Sequence, residues 1–179
     1  MQRKRAGLIG LAFLACLVTS YFLNAFLFNA LVTASQNQLL LFSMILANNV
    51  VVISLILLGM TFYVNLVLSN FFKKEKYAYV VLEHPRVFAS VFSCMILFLS
   101  ILKGANLFFG RIIIERLPWI FLVSAPIGAI EGYGVYTTIK KTLSRTMSMR
   151  ELAYIYGIFI IAAIIEVSFI NLARSSIKI

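Results

Sequence analysis

The sequence predicts an all-α protein: a polytopic transmembrane helical bundle of about five spans, forming a single integral membrane domain over residues 1–179. Three observations carry that reading. Hydrophobic residues make up 62% of the chain, well above the roughly 45–50% of a soluble domain. Only six acids occur, all glutamates: Glu75, Glu83, Glu115, Glu131, Glu151 and Glu166. A soluble core of this length needs many more charges to cover its surface. Finally, the apolar residues fall into runs of the ~20 residues that cross a hydrocarbon layer of ~30 Å.

The first run covers residues 6–34. Its opening, RKR followed by GLIGLAFLAC, has the charged and apolar regions of a signal peptide, and LAC resembles a weak lipoprotein box. The apolar run nevertheless continues to Ala34, so an uncleaved first span is expected. The short, uncharged linker SQNQ makes the first two spans an antiparallel hairpin. The second run, 39–72, is overlong and must tilt, kink or project beyond the membrane. The segment KKEKYAYVVLEHPR reads as a surface linker with tyrosines at headgroup level. Pro85 suits the first turn of the next helix, where a missing N–H is harmless.

The third run, 87–102, is the shortest. Next comes KGANLFFGRIIIERLP, in which Leu107, Phe108, Ile112 and Ile113 are apolar at helical spacing while Arg111, Glu115 and Arg116 are polar. An interfacial amphipathic helix around 104–116 is the first reading, and a short re-entrant segment is the alternative. The fourth run covers 118–139 and the fifth 152–172. There is no repeat of 20–50 residues, low-complexity tail or nucleotide loop.

Orientation follows from Lys and Arg. With the N-terminus in the cytoplasm and the C-terminus outside, the inner side holds Arg3, Lys4, Arg5, Lys73, Lys74, Lys76, Arg86, Lys140, Lys141, Arg145 and Arg150. The outer side holds Lys103, Arg111, Arg116, Arg174 and Lys178. Eleven against five favours this arrangement in a cell membrane. The net charge of +10 belongs to these connections, facing anionic membrane lipids. It forms no single basic face for nucleic acid. Cys16 and Cys94 lie inside apolar runs and read as small hydrophobes, and His84, the one histidine, reads as a surface residue on the inner linker.

The stretch SAPIGAIEGYG, within the fourth run, is the least ordinary part of the chain. Ser124, Gly128 and Glu131 fall on one helical face with Gly132 beside them, and Ser124, Gly128 and Gly132 form a small-xxx-small series that admits a close helix. Pro126 removes a backbone donor and crowds the carbonyl of Leu122, so a broken or re-entrant helix is expected around Pro126–Gly128. Glu131 then lies ~20 Å from the outer end. A charged carboxylate there costs at least ~2.5 kcal/mol unless it faces protein or water. The preferred reading makes it an interhelical hydrogen-bond partner; the alternative makes it an ion, proton or substrate contact. Glu166, Asn24, Asn48 and Asn49 fall at comparable depth in the outer half and could form a polar cluster satisfying one another.

No aspartate, no intramembrane histidine and no phosphate-binding glycine loop point away from intramembrane proteolysis, haem or quinone ligation and ATP use. Neither an enzyme nor a bound cofactor or metal is expected.

Two patterns resemble the stage II sporulation protein M family. The segment ILANNVVVISLILLGMTFYVNLVLSNFF is similar to that family's helix with an Asn pair, here Asn48 and Asn49, and a Gly about ten residues on, here Gly59. The segment PIGAIEGYG is similar to its Pro-His-Gly-x-x-Glu motif through Pro126, Gly128 and Glu131, with Ile127 in place of the His. That departure bears on any proton-handling role of the motif. The resemblance covers about residues 39–141 and implies an all-helical bundle that assembles with other membrane proteins. Together these readings give a non-enzymatic scaffold or complex subunit, a homo-oligomer or a partner of other subunits. Self-association would use small-residue faces, including Ala6 with Gly10 and Ala153 with Gly157. The alternative is a small transporter or channel component with Glu131 in the pathway.

Overall fold

The structure is a computed structural model. It describes the backbone of residues 2–34, 37–69, 71, 79–109 and 117–176, and side chains over 6–23, 37–69, 71, 79–98, 118 and 125–171. All regular elements among the described residues are helices: α1 Gln2–Ala34, α2 Gln38–Leu68, α3 Val80–Glu83, α4 Pro85–Phe109, α5 Leu117–Leu143 and α6 Met149–Ser176. The five long helices coincide with the five apolar runs. Among the described residues, the stretches Ala6–Leu23, Gln38–Leu68 and Met149–Asn171 are long and apolar enough to cross a membrane, and Pro85–Phe98 is a shorter apolar stretch of α4.

The helix ends are set by local chemistry. Asn37 caps α2, its Oδ1 accepting from the N–H groups of Leu39 at 3.1 Å and Leu40 at 3.3 Å. Helix α5 ends in a paired closing motif, with Thr146 N donating to Lys141 O at 3.0 Å and Arg145 N to Thr142 O at 3.1 Å. Arg145 takes the left-handed conformation this motif demands, φ 55°. Three residues on, Ser148 and Glu151 form a capping box: Ser148 N donates to Glu151 Oε2 at 3.0 Å, and Glu151 N to Ser148 Oγ at 3.2 Å. Lys141 donates to the other carboxylate oxygen of Glu151, which ties the end of α5 to the start of α6.

Helices α2, α5 and α6 pack against one another, while α1 lies chiefly on α2 and α4 chiefly on α5. The core divides into two clusters along the bundle. One, towards the end that carries Lys141 and Glu151 (the basic end), joins Ile53, Ile56 and Val64 of α2, Ala89 of α4, Val135, Ile139 and Leu143 of α5, and Ile155 and Phe159 of α6. The other, at the far end, joins Leu41 and Ile45 of α2 to Ala163 and Val167 of α6. The outward surface is also apolar, with Leu8, Leu11, Tyr21, Val91, Ile161 and Ile164 exposed, as a lipid-facing surface requires.

Three expectations change. No break occurs at Pro126–Gly128: α5 is one continuous α-helix with Pro126 inside it. Proline removes a single donor, whereas a break in apolar surroundings would leave several N–H and C=O groups unmatched at several kcal/mol each. The Pro126 ring is on the exposed side of the helix. Residues 104–109 form the last turns of α4 rather than the start of an interfacial helix, because no proline interrupts the helix and Lys103, Gly104 and Asn106 are each tolerated singly within it; residues 110–116 lie outside the described residues. The third helix, Pro85–Phe109, is accordingly longer than its 87–102 apolar run.

The small-residue face of α1 is used within the chain. A Cβ built at Gly10 would stand 2.8 Å from the Phe62 ring, and one at Gly59 would stand 2.9 Å from the Phe13 ring. Each helix of the hairpin thus offers a glycine to the other's phenylalanine, and the two rings stack at 6.4 Å between centroids and 18° between planes.

Candidate functional site

Two polar residues of the interior, Asn49 and Glu131, stand near the level between the two apolar clusters. On α2, Asn49 follows Ile45 of the far cluster and precedes Ile53 of the basic-end cluster, each by four residues, so all three lie on one helical stripe. On α5, Glu131 stands one turn before Val135 of the basic-end cluster. On α6, Glu166 falls between Ala163 and Val167, both members of the far cluster. The stripes of α2 and α5 therefore turn polar where one cluster gives way to the other, whereas α6 carries the buried Ala162 there.

Glycines on α5 fix the direction of Glu131. A Cβ at Gly132 would lie 2.7 Å from Leu97 of α4, and one at Gly134 would lie 2.5 Å from Phe159 of α6. At about 100° per residue, Glu131 falls between these two directions and so faces the interior. Its depth follows from antiparallel register. Gly134 meets Phe159 and Lys141 meets Glu151, which sets Glu131 opposite about residue 162 of α6. Ser54 Oγ and Tyr156 Oη share a 3.0 Å hydrogen bond, which with the far cluster sets Asn49 opposite about residue 161. Asn49 and Glu131 thus lie at one level along the bundle, with Glu166 more than a turn further towards the far end.

Their environments differ. Glu131 and Glu166 are half-buried, and neither is without a partner. Asn49 is only 7% exposed, and its Nδ2 has no hydrogen-bond partner among the described residues. The expected mutual satisfaction of the polar cluster is therefore incomplete at Asn49. Ser93 of α4, 5% exposed, is in the same position, its Oγ unpartnered. By contrast, Thr138 and Thr142 are buried but satisfied, donating to Gly134 O at 2.8 Å and Thr138 O at 2.7 Å.

The remaining sequence candidates fall as follows. Asn48 is half-buried. Gly128 and Gly132 form the seat for Leu97, so the small-xxx-small face does admit a neighbouring helix. The side chains of Ser124 and Asn24 lie outside the described residues. Sequence reasoning missed Ser93 and the Ser54–Tyr156 bond; hydroxyls inside apolar runs mark such groups, but nothing in one sequence tells which of them face the core. Among the described residues no group of three His, Cys, Asp or Glu could hold a metal.

No family model matches the chain, and no curated protein or solved structure is significantly similar to it.

Proposed function

We propose that the chain is a non-enzymatic multi-pass membrane protein of five spans, with its N-terminus in the cytoplasm and its C-terminus outside, acting as a scaffold or subunit of a membrane complex in the manner of stage II sporulation protein M. The observation that carries this reading is the uneven fate of its small-residue faces. Gly10, Gly59, Gly132 and Gly134 are each filled by a side chain of another helix, whereas a Cβ at Gly157 would meet nothing within 4 Å. Ala153, one turn before it, is exposed. A small-xxx-small face left open on α6 is suited to a helix from another chain. The five-span topology is supported by the five long helices, and the orientation by the excess of Lys and Arg at the basic end.

Native mass spectrometry of protein gently extracted from its own membrane tests this. A homo-oligomer or a stoichiometric second membrane protein is expected, lost on Gly157→Leu. A monomer in both proteins would overturn the reading. The second reading, a small transporter or channel component, is favoured by one observation, the buried and unpartnered Asn49 Nδ2 at the level of Glu131. Ion or proton flux in liposomes, abolished by Glu131→Gln, would establish it.

A further inference from the structure

We infer that the outer edge of the α4–α5 seam at the basic end is a binding site for an anionic phospholipid. Arg86 and Lys140 hold its phosphate, and the slot between the two helices takes an acyl chain. The site is separate from the open face of α6 and from the level of Asn49, so it rests on neither functional reading above.

Register brings the two cations together. Leu97 of α4 sits against Gly128 and Gly132 of α5, where added Cβ atoms would stand 3.5 and 2.7 Å from it. Arg86 precedes Leu97 by about three helical turns, so it faces α5 as Leu97 does. The antiparallel register sets Arg86 opposite about residue 142 of α5, within about one turn of Lys140. Counted from Gly132, Tyr136 and Lys140 turn by about 40° and 80° towards the outside, opposite in sense to Glu131 and Val135. Arg86 is exposed and Lys140 half-buried. The Lys140 ammonium folds back over the turn before it and lies 5.6 Å from the centroid of the Tyr136 ring. Among the described residues neither cation forms an ion pair, the one such pair joining Lys141 to Glu151. Glu83, at the end of α3, is exposed to solvent.

A guanidinium fork beside an ammonium suits a phosphate, the first binding in bidentate fashion and the second as a point charge. The surface that continues from the two cations marks the phosphate as a lipid's. Going away from the basic end, Ser90 and Cys94 of α4 floor the first turns of the seam, and Ala129 and Ala125 of α5 floor the next. All four are exposed. Phe98 and Tyr133, each 53% exposed, form the rims. The Ser90 hydroxyl donates to Arg86 O at 3.0 Å and so presents no free donor to an apolar chain. Elsewhere the outward surface carries large side chains such as Leu8, Leu11, Ile161 and Ile164, whereas small ones here leave a slot. A soluble anion would use the cations and leave the slot bare. An anionic phospholipid uses both, and basic residues near the membrane surface attract it.

Native mass spectrometry of the full chain in neutral detergent tests the inference, with phosphatidylglycerol and phosphatidylcholine of the same acyl chains as probes. One phosphatidylglycerol per chain is expected, bound about tenfold more tightly than phosphatidylcholine. Arg86→Gln and Lys140→Gln should each weaken it about fivefold. Arg150→Gln removes a charge from the same end but on the exposed side of α6, and should change binding by less than about twofold. Ala129→Leu fills the slot without altering charge and should weaken both lipids alike. Inorganic phosphate at millimolar concentration should displace neither. Equal affinity for the two lipids, equal losses in Arg150→Gln and the two seam variants, displacement by inorganic phosphate, or indifference to Ala129→Leu would each overturn the inference. So would a dimer that excludes phosphatidylglycerol and is itself lost on Ala129→Leu, since the seam would then belong to a second copy. Should a charge variant fail to fold, the two-lipid comparison and Ala129→Leu decide the matter.

Discussion

Helices α1 and α5 are similar in length and both are rich in apolar residues, yet the bundle uses them in opposite ways. Helix α1 is held along one seam, where Gly10 receives Phe62 and Phe13 reaches Gly59, and it exposes Leu8, Leu11, Leu14 and Tyr21 elsewhere. Helix α5 is clasped on two sides. Gly132 receives Leu97 of α4, Gly134 receives Phe159 of α6, and Val135, Thr138, Ile139 and Leu143 are buried between. In a membrane, burial of apolar surface against protein instead of lipid gains little, and close packing is what holds helices together. Glycine count on facing sides therefore tells more about a helix's place in this bundle than its hydrophobicity does.

The sharpest test of that contrast is overpacking on each side of the divide. Gly134→Val places methyl groups against the Phe159 ring, itself 3% exposed and confined by the core. A loss of about 3 kcal/mol is expected, at the upper end for overpacked cores, measured as a lower denaturant midpoint in detergent. Gly10→Val also strikes a ring, since a Cβ there stands 2.8 Å from Phe62. Phe62 is only half-buried and can swing outward, so about 1–2 kcal/mol is expected. Limited proteolysis should then show α1 released while α2, α5 and α6 stay protected. Equal losses at the two glycines would break the comparison.

Much of this was readable from the residues, and the rest was not for definite reasons. The apolar runs placed the five long helices, with the largest miss at the end of α4, because span length is dictated by the bilayer. The Ser124–Gly128–Gly132 spacing announced a close neighbour, and Leu97 fills that role at the two glycines. Pro126 misled, because the loss of one donor is local whereas the cost of a broken helix in apolar surroundings is spread over many groups. The spacing of Ala6 and Gly10 marks a face but not what lies across it, and within the chain Phe62 of α2 lies against Gly10. Of the polar candidates, depth along the helix was legible for Asn49, Glu131 and Glu166. That Asn49 and Glu131 share a level while Glu166 lies among the far cluster depends on antiparallel register, which only the folded chain provides.

A middle-sized effect separates hydrogen bonding from packing on α6. Tyr156→Phe keeps the ring but removes the 3.0 Å bond to Ser54. About 0.6 kcal/mol is expected, the mean for interhelical hydrogen bonds in membranes. A loss approaching that of Gly134→Val would mean that polar clasps, not glycine seats, hold α2 to α6.

The smallest effect is expected at the turn between α5 and α6, and its sign is the test. Arg145 sits at φ 55°, a conformation that costs a residue with a Cβ about 1–2 kcal/mol, in a closing motif that normally employs glycine. Its backbone N–H already donates to Thr142 O, and no side-chain contact is needed to close the turn. Arg145→Gly should therefore stabilise the hairpin by less than ~0.5 kcal/mol, the relieved strain being offset by glycine's greater freedom in the unfolded chain and by the loss of one positive charge from the basic end. The gain should persist when the capping box is weakened by Glu151→Gln, because the two devices satisfy different groups: one the last carbonyls of α5, the other the first N–H groups of α6 and the Lys141 ammonium. If Arg145→Gly instead destabilises the protein in liposomes of anionic lipid but not of neutral lipid, the arginine is retained for its charge at the membrane surface. The strain at φ 55° would then be the consequence of keeping a cation where the fold alone would take glycine.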